Sequence, residues 1–254
     1  TILLTVSVAF IAGMVGGGLS ARAIGWAVQG LVLWWLGRGV ERISKRMGFG
    51  WASIWQQPLL NSGIRLSWFA VGFAVITLWL GLTSIVDISL SVHQATAVTM
   101  ILALLYLGMT VYHRNPTFGY ISAGALVISW YLQIADRDIV HAQFYAVPAG
   151  IYLLSLAFFE SKRPQKSSLF TAIVNGTGVV ALAGSAFIQS LVDTPGWLYS
   201  GIVGVEGILL VLWGSATKSK IPFLGGIISF FVNALYQAIS ILWSLNAAAA
   251  ALGI

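Results

Sequence analysis

Few residues in this chain can do chemistry. Of seven carboxylates among 254 residues, Glu206 alone lies far from any expected loop, in the middle of the apolar run 197–216. An ionised carboxylate inside hydrocarbon is costly, so one held there is either a proton- or ion-handling group or a hydrogen-bonded structural acid. A third reading has it contact a neighbouring subunit or lipid. Counted from the basic turn Thr217-Lys218-Ser219-Lys220, Glu206 and Asn233 fall at nearly the same depth on neighbouring helices, and Asn233 is the expected partner. The other polar groups inside apolar runs are amides: Gln133, Asn175, Gln189 and Gln237. In lipid these act as interhelical glue, at about 0.6 kcal/mol each.

Other chemistries lack their residues. There is no cysteine, which removes disulfides, thiolate metal sites and cysteine nucleophiles. His93, His113 and His141 fall at expected helix ends, with His113 on the opposite side from the other two. Ligation of a haem or chlorophyll by a single histidine has no supporting pattern. Gly13, Gly16, Gly17 and Gly18 are not followed by the Lys-Ser/Thr of a phosphate loop. Asp136, Asp138 and His141 are the one acid–histidine cluster that a lipid-modifying enzyme could use. No catalytic, cofactor or metal site is expected.

A second candidate surface lies in residues 38–63. Val40, Ile43 and Met47 recur at helical spacing while Arg42, Lys45 and Arg46 face elsewhere, and Glu41 precedes Lys45 by four. Trp51, Ile54, Trp55 and Leu59 add an aromatic apolar stripe. The pattern predicts one or two short helices lying in the membrane interface. That is either an anchor or a docking surface for a partner protein, with Arg42, Lys45, Arg46, Trp51 and Trp55 as its contacts.

The elements that must position these groups follow from composition. Charged residues make up 8% and hydrophobic ones 58%, with mean hydropathy +0.90. A soluble domain carries about 25% charge, so lipid must solvate most of this chain. The net charge of +6 is too dispersed for a nucleic-acid footprint. Nine membrane segments are expected, at 2–19, 23–37, 64–86, 93–112, 117–134, 139–159, 168–192, 197–216 and 221–245. The fold class is therefore all-α, a polytopic transmembrane bundle of antiparallel hairpins. Its parts are two N-terminal helices (1–37), the interfacial segment (38–63), seven transmembrane helices (64–245) and a tail (246–254). The alternating threading places eleven cations on one side: Arg38, Arg42, Lys45, Arg46, Arg65, Arg114, Lys162, Arg163, Lys166, Lys218 and Lys220. Only Arg22 and Arg137 fall on the other, which predicts a cytoplasmic N-terminus. Residue 1 is Thr, and the chain is expected to begin inside a longer polypeptide.

Residues 155–245 run helix, Lys162-Arg163-Pro164, helix, Pro195-Gly196-Trp197, Val205-Glu206-Gly207, then Gly214 with Lys218 and Lys220. This arrangement resembles uncharacterised bacterial multi-spanning membrane proteins built from repeated short hydrophobic hairpins. The resemblance implies a bacterial cytoplasmic membrane, or an internal membrane derived from it, and brings no activity. The function expected from sequence is a structural or assembly role, as a subunit of a larger membrane complex with protein partners and no enzymatic activity. The alternative is a transporter or channel subunit using Glu206.

Overall fold

The computed structural model describes residues 19–48, 50–83, 87–163, 167–192 and 196–252. These residues are helical throughout, with short turns and no strand among them. Two compact units divide the chain at Ile139 and Val140.

The first unit holds α1 (Leu19–Met47), α2 (Gly50–Leu82), α3 (Ile88–His113) and α4 (Pro116–Asp136). Local chemistry explains the boundaries. Gly48, at φ 70, makes the turn between α1 and α2. The Asp87 carboxylate accepts from the Ser89 and Leu90 amides to start α3. Arg114 ends α3 in a left-handed conformation. Asn115 then caps α4, whose first residue is Pro116. Along their lengths α1 packs on α2, α3 on α4, and α3 also meets α1 and α2. One layer of the core gathers Trp34, Leu60, Leu105, Tyr106, Met109 and Ala125; another is built of Ala23, Ala27, Ala70, Ala74, Ala95 and Val98. Small residues allow the close approach that lipid-embedded helices need, since burial from lipid supplies little driving force. A Cβ on Gly63 would lie 2.6 Å from the Gly30 carbonyl oxygen, so the backbones of α1 and α2 touch there.

Residues 38–63 belong to this hairpin. Residues 38–47 continue α1 and 50–63 begin α2, in place of the one or two separate short helices expected. Glu41 bridges Arg38 and Lys45 along the helix, so the polar stretch sustains α1 instead of ending it. At 33 residues α2 is about 50 Å long, more than the about 30 Å of hydrocarbon it could cross. Arg65, expected at the end of a helix, stands inside α2.

The second unit holds α5 (Gln143–Ser161), α6 (Ser168–Val179), α7 (Ser185–Val192), α8 (Gly196–Thr217) and α9 (Lys220–Leu252). A single wide turn of π-helix, Val180–Gly184, joins α6 to α7, so the two form one continuous rod. Ser185 Oγ donates to the carbonyls of Ala181 and Leu182 at 2.7 and 2.9 Å, beside the backbone bond from its own N–H to Leu182. Lys218, at φ 55, closes the α8–α9 turn. Helices α8 and α9 pack along each other, α5 lies on α6, and α7 lies on α8. Leu154, Leu182, Ala183 and Leu210 make the core.

Seven helices among the described residues are long and apolar enough to cross a membrane: Ile54–Leu82, Ile88–His113, Pro116–Asp136, Gln143–Ser161, Ser168–Val192, Trp197–Thr217 and Lys220–Trp243. Of the nine expected, the segment 2–19 lies outside the described residues apart from Leu19. The segment 23–37 lies within α1, where Gln29, three tryptophans and the flanking arginines lower the hydropathy. Large apolar side chains such as Phe69, Trp79, Val111, Ile173, Phe231 and Leu235 point outward. So much outward apolar surface fits lipid contact and an integral membrane protein.

Candidate functional site

Glu206 sits midway along α8 with 8% of its surface exposed. It borders an apolar groove of about 480 Å³ between α5 and α8, lined by Val147, Ile151 and Leu154 on one side and Leu209 and Leu210 on the other. Leu182, from the π turn, also lines the groove. The wide turn inserts one residue into the helical ladder, and its Leu182 packs against Gly150 of α5. Single π turns of this kind recur at functional sites.

Gln143, the first residue of α5, reaches the carboxylate. With its amide oxygen accepting from the Ala186 backbone at 2.7 Å, its nitrogen donates to Glu206 Oε1 at 3.3 Å. Glu206 Oε2 is buried and has no hydrogen-bond partner among the described residues. The ion pairs found there do not include it either. A buried carboxyl oxygen without a donor costs about 1–3 kcal/mol, more when charged. A proton on Oε2 removes the charge and leaves a hydroxyl that needs an acceptor in its turn.

Asn233 is not the partner of Glu206. Its amide pairs with Ser200 instead: Ser200 Oγ donates to Asn233 Oδ1 at 2.7 Å, and Asn233 Nδ2 donates to the Ser200 carbonyl at 2.9 Å. Ser200 lies near the start of α8, about a turn and a half before Glu206. Equal depth counted from the α8–α9 turn therefore did not make a contact, because Asn233 closes on the small Ser200. Gln133 does act as glue, donating to Thr96 Oγ1 at 3.0 Å between α4 and α3.

The expected basic surface lies near the α1–α2 turn. Arg42 and Arg46 are exposed, and Trp55 keeps 51% of its surface beside Ile54 at 70%. Lys45 is exposed and donates to Glu41 Oε1 at 2.7 Å. The side chain of Trp51 lies outside the described residues.

The same end holds a buried ionic cluster that sequence reading missed. Arg38 Nη1 donates to Glu41 Oε2 at 2.8 Å, and Arg38 Nη2 lies 2.7 Å from His113 Nε2. The Tyr112 hydroxyl donates to Glu41 Oε1, and the Arg38 guanidinium stacks 3.3 Å from the Tyr112 ring centre. Burial pushes the pKa of Glu41 up, but hydrogen bonds from Lys45, Tyr112 and Arg38 outweigh it and hold the pKa at about 2. The Glu41–Lys45 spacing was visible in sequence. Tyr112 and His113 lie more than 70 positions away, and only the packing of α3 on α1 delivers them.

His93 lies 3.6 Å from Asp136, and His141 accepts or donates at 2.8 Å with the Tyr199 hydroxyl. Among the described residues no three His, Cys, Asp or Glu side chains gather as a metal site. No family model, no curated protein and no solved structure matches the chain.

Proposed function

We propose that this integral membrane protein is a transporter or channel subunit, with Glu206 as the group that exchanges hydrogen-bond partners as a proton or small lipophilic solute passes. The observation that carries the reading is the half-satisfied carboxyl on an apolar groove. A purely structural site would bond both oxygens, as most buried polar atoms are. Here Gln143 holds one oxygen and leaves the other to a proton or a ligand. The membrane is the bacterial cytoplasmic membrane or one derived from it, with the basic ends of the helices on the cytoplasmic side.

The test is proton or solute flux through the full chain in liposomes, compared with Glu206→Gln. Gln keeps the shape and can bond to Gln143 but cannot titrate. Flux in the wild type, with at least tenfold less in the variant at equal insertion, is the expected result. Equal flux in both, or none in the wild type, rejects the reading.

A structural or assembly role is the second reading, and the surface near the α1–α2 turn supports it. Exposed Arg42, Arg46, Ile54 and Trp55 combine charge and aromatic area as an interfacial anchor or a partner-binding face does. In that reading the glutamine variant assembles and works like the wild type.

A further inference from the structure

The buried ionic cluster borders a second cavity, of about 380 Å³, lined by Trp34, Arg38, Gln56, Gln57, Asn61 and His113 among others. This volume falls in the range of small-ligand sites. Its character is the reverse of the groove beside Glu206, because a buried cation lines it. Arg38 is 6% exposed, and Glu41 and His113 each occupy one N–H of its Nη1 and Nη2, which leaves a second N–H on each. The group these donors lack is an acceptor.

Charge narrows the acceptor further. Glu41, the one acid in the cluster, is already shared among Arg38, Lys45 and Tyr112. Two cations against one carboxylate leave the cluster net positive, and Arg42, Arg46 and Arg114 extend the same sign along this end. The unit's other acids, Asp87, Asp136 and Asp138, lie at the opposite ends of α3 and α4. Gln56, Gln57 and Asn61 line the cavity with further amide donors on α2. A guanidinium held by stacking on Tyr112 and fixed by Glu41 presents its remaining N–H groups in a preset plane, which suits an oxyanion.

We propose that this cavity is an oxyanion site for a phosphate group, carried by an anionic lipid headgroup or by free phosphate, with Arg38 and Asn61 as its donors. This goes beyond the role proposed for Glu206 and does not depend on it. The phosphate accepts from the Arg38 N–H groups that Glu41 and His113 leave free.

The experiment uses the full chain purified in detergent, with lipid retention read by native mass spectrometry and melting read in parallel. The probes are phosphatidylglycerol, phosphatidylcholine and inorganic phosphate. Preferential retention of phosphatidylglycerol that phosphate does not displace assigns a lipid headgroup. A phosphate-induced rise in melting temperature without lipid preference assigns the free ion, and displacement of the lipid by phosphate assigns both. Arg38→Gln should lower binding about tenfold, the effect of one charge-assisted hydrogen bond. Because that variant also strips Glu41 of a partner, Asn61→Leu serves as the second: Asn61 is exposed on the cavity and outside the ion network, so folding should survive. It should lower binding about threefold with unchanged melting in the absence of ligand. Absence of any phosphate or phosphatidylglycerol effect in the wild type leaves a pocket that holds water only, and overturns the site. So does binding that persists undiminished in Asn61→Leu and in any folded Arg38→Gln.

Discussion

Two buried glutamates in this chain are handled in opposite ways. Glu41 accepts from Arg38, Lys45 and Tyr112, so its charge is matched on every side. Glu206 has one donor for two oxygens and no cation. The first arrangement satisfies both oxygens, and the second leaves Oε2 without a donor. Glu41 also makes a pH prediction. Its folded value of about 2 lies below the ordinary 4.5, so its contribution to stability is complete above about 4.5 and fades as pH falls toward 2. The melting temperature of the wild type should drop across that window. Glu41→Gln should melt lower at neutral pH and lose less on acidification. Parallel curves for the two proteins would show that the cluster contributes nothing.

At the scale of elements, contact between helices is set by where side chains are missing. Gly63 and Gly30 bring α1 and α2 together at backbone distance, and the Trp34 amide lies 2.8 Å from where a Cβ on Gly63 would stand. Backbone cannot yield as a flexible side chain can. Gly63→Ala should therefore push the hairpin apart, at a cost of about 1–3 kcal/mol. Gly72, further along the same helix, has nothing within 4 Å of the equivalent position. Gly72→Ala should be neutral or mildly stabilising, because alanine favours helix over glycine. Denaturant titration of both variants in mixed micelles compares them directly. Equal stability would mean that the α1–α2 contact has slack.

At the scale of the whole molecule, the placement of charge is the governing feature. Cations cluster at the ends of α1 and α3 and in the α8–α9 turn, while Asp87, Asp136 and Asp138 mark the other ends of α3 and α4. Translocation disfavours short basic loops, so threading is fixed as the chain inserts. A reporter fused after Lys220 should read cytoplasmic, and one after Asp138 should read external. Both on one side would exclude the eleven-to-two threading.

The sequence by itself determined the all-helical class and the seven apolar helices long enough to cross a membrane. Scarce charge, long apolar runs and short polar turns suffice for that, because each helix satisfies its own backbone in lipid. It also isolated Glu206, since a carboxylate within an apolar run needs no partner to be conspicuous. What it could not determine was who meets whom. Depth along α8 and α9 suggested Glu206 with Asn233, but rotation about the helix axis decides the contact, and it joined Asn233 to Ser200 and Glu206 to Gln143. The 38–63 stretch read as surface helices because its charges are frequent. Only the structure shows Arg38 and Glu41 turned inward against Tyr112 and His113. The wide turn at Val180–Gly184 left no mark in composition either, and its Leu182 lines the groove. Hydropathy is a property of each residue and can be read in order. Pairing across helices depends on rotation and register, which only the packed chain fixes.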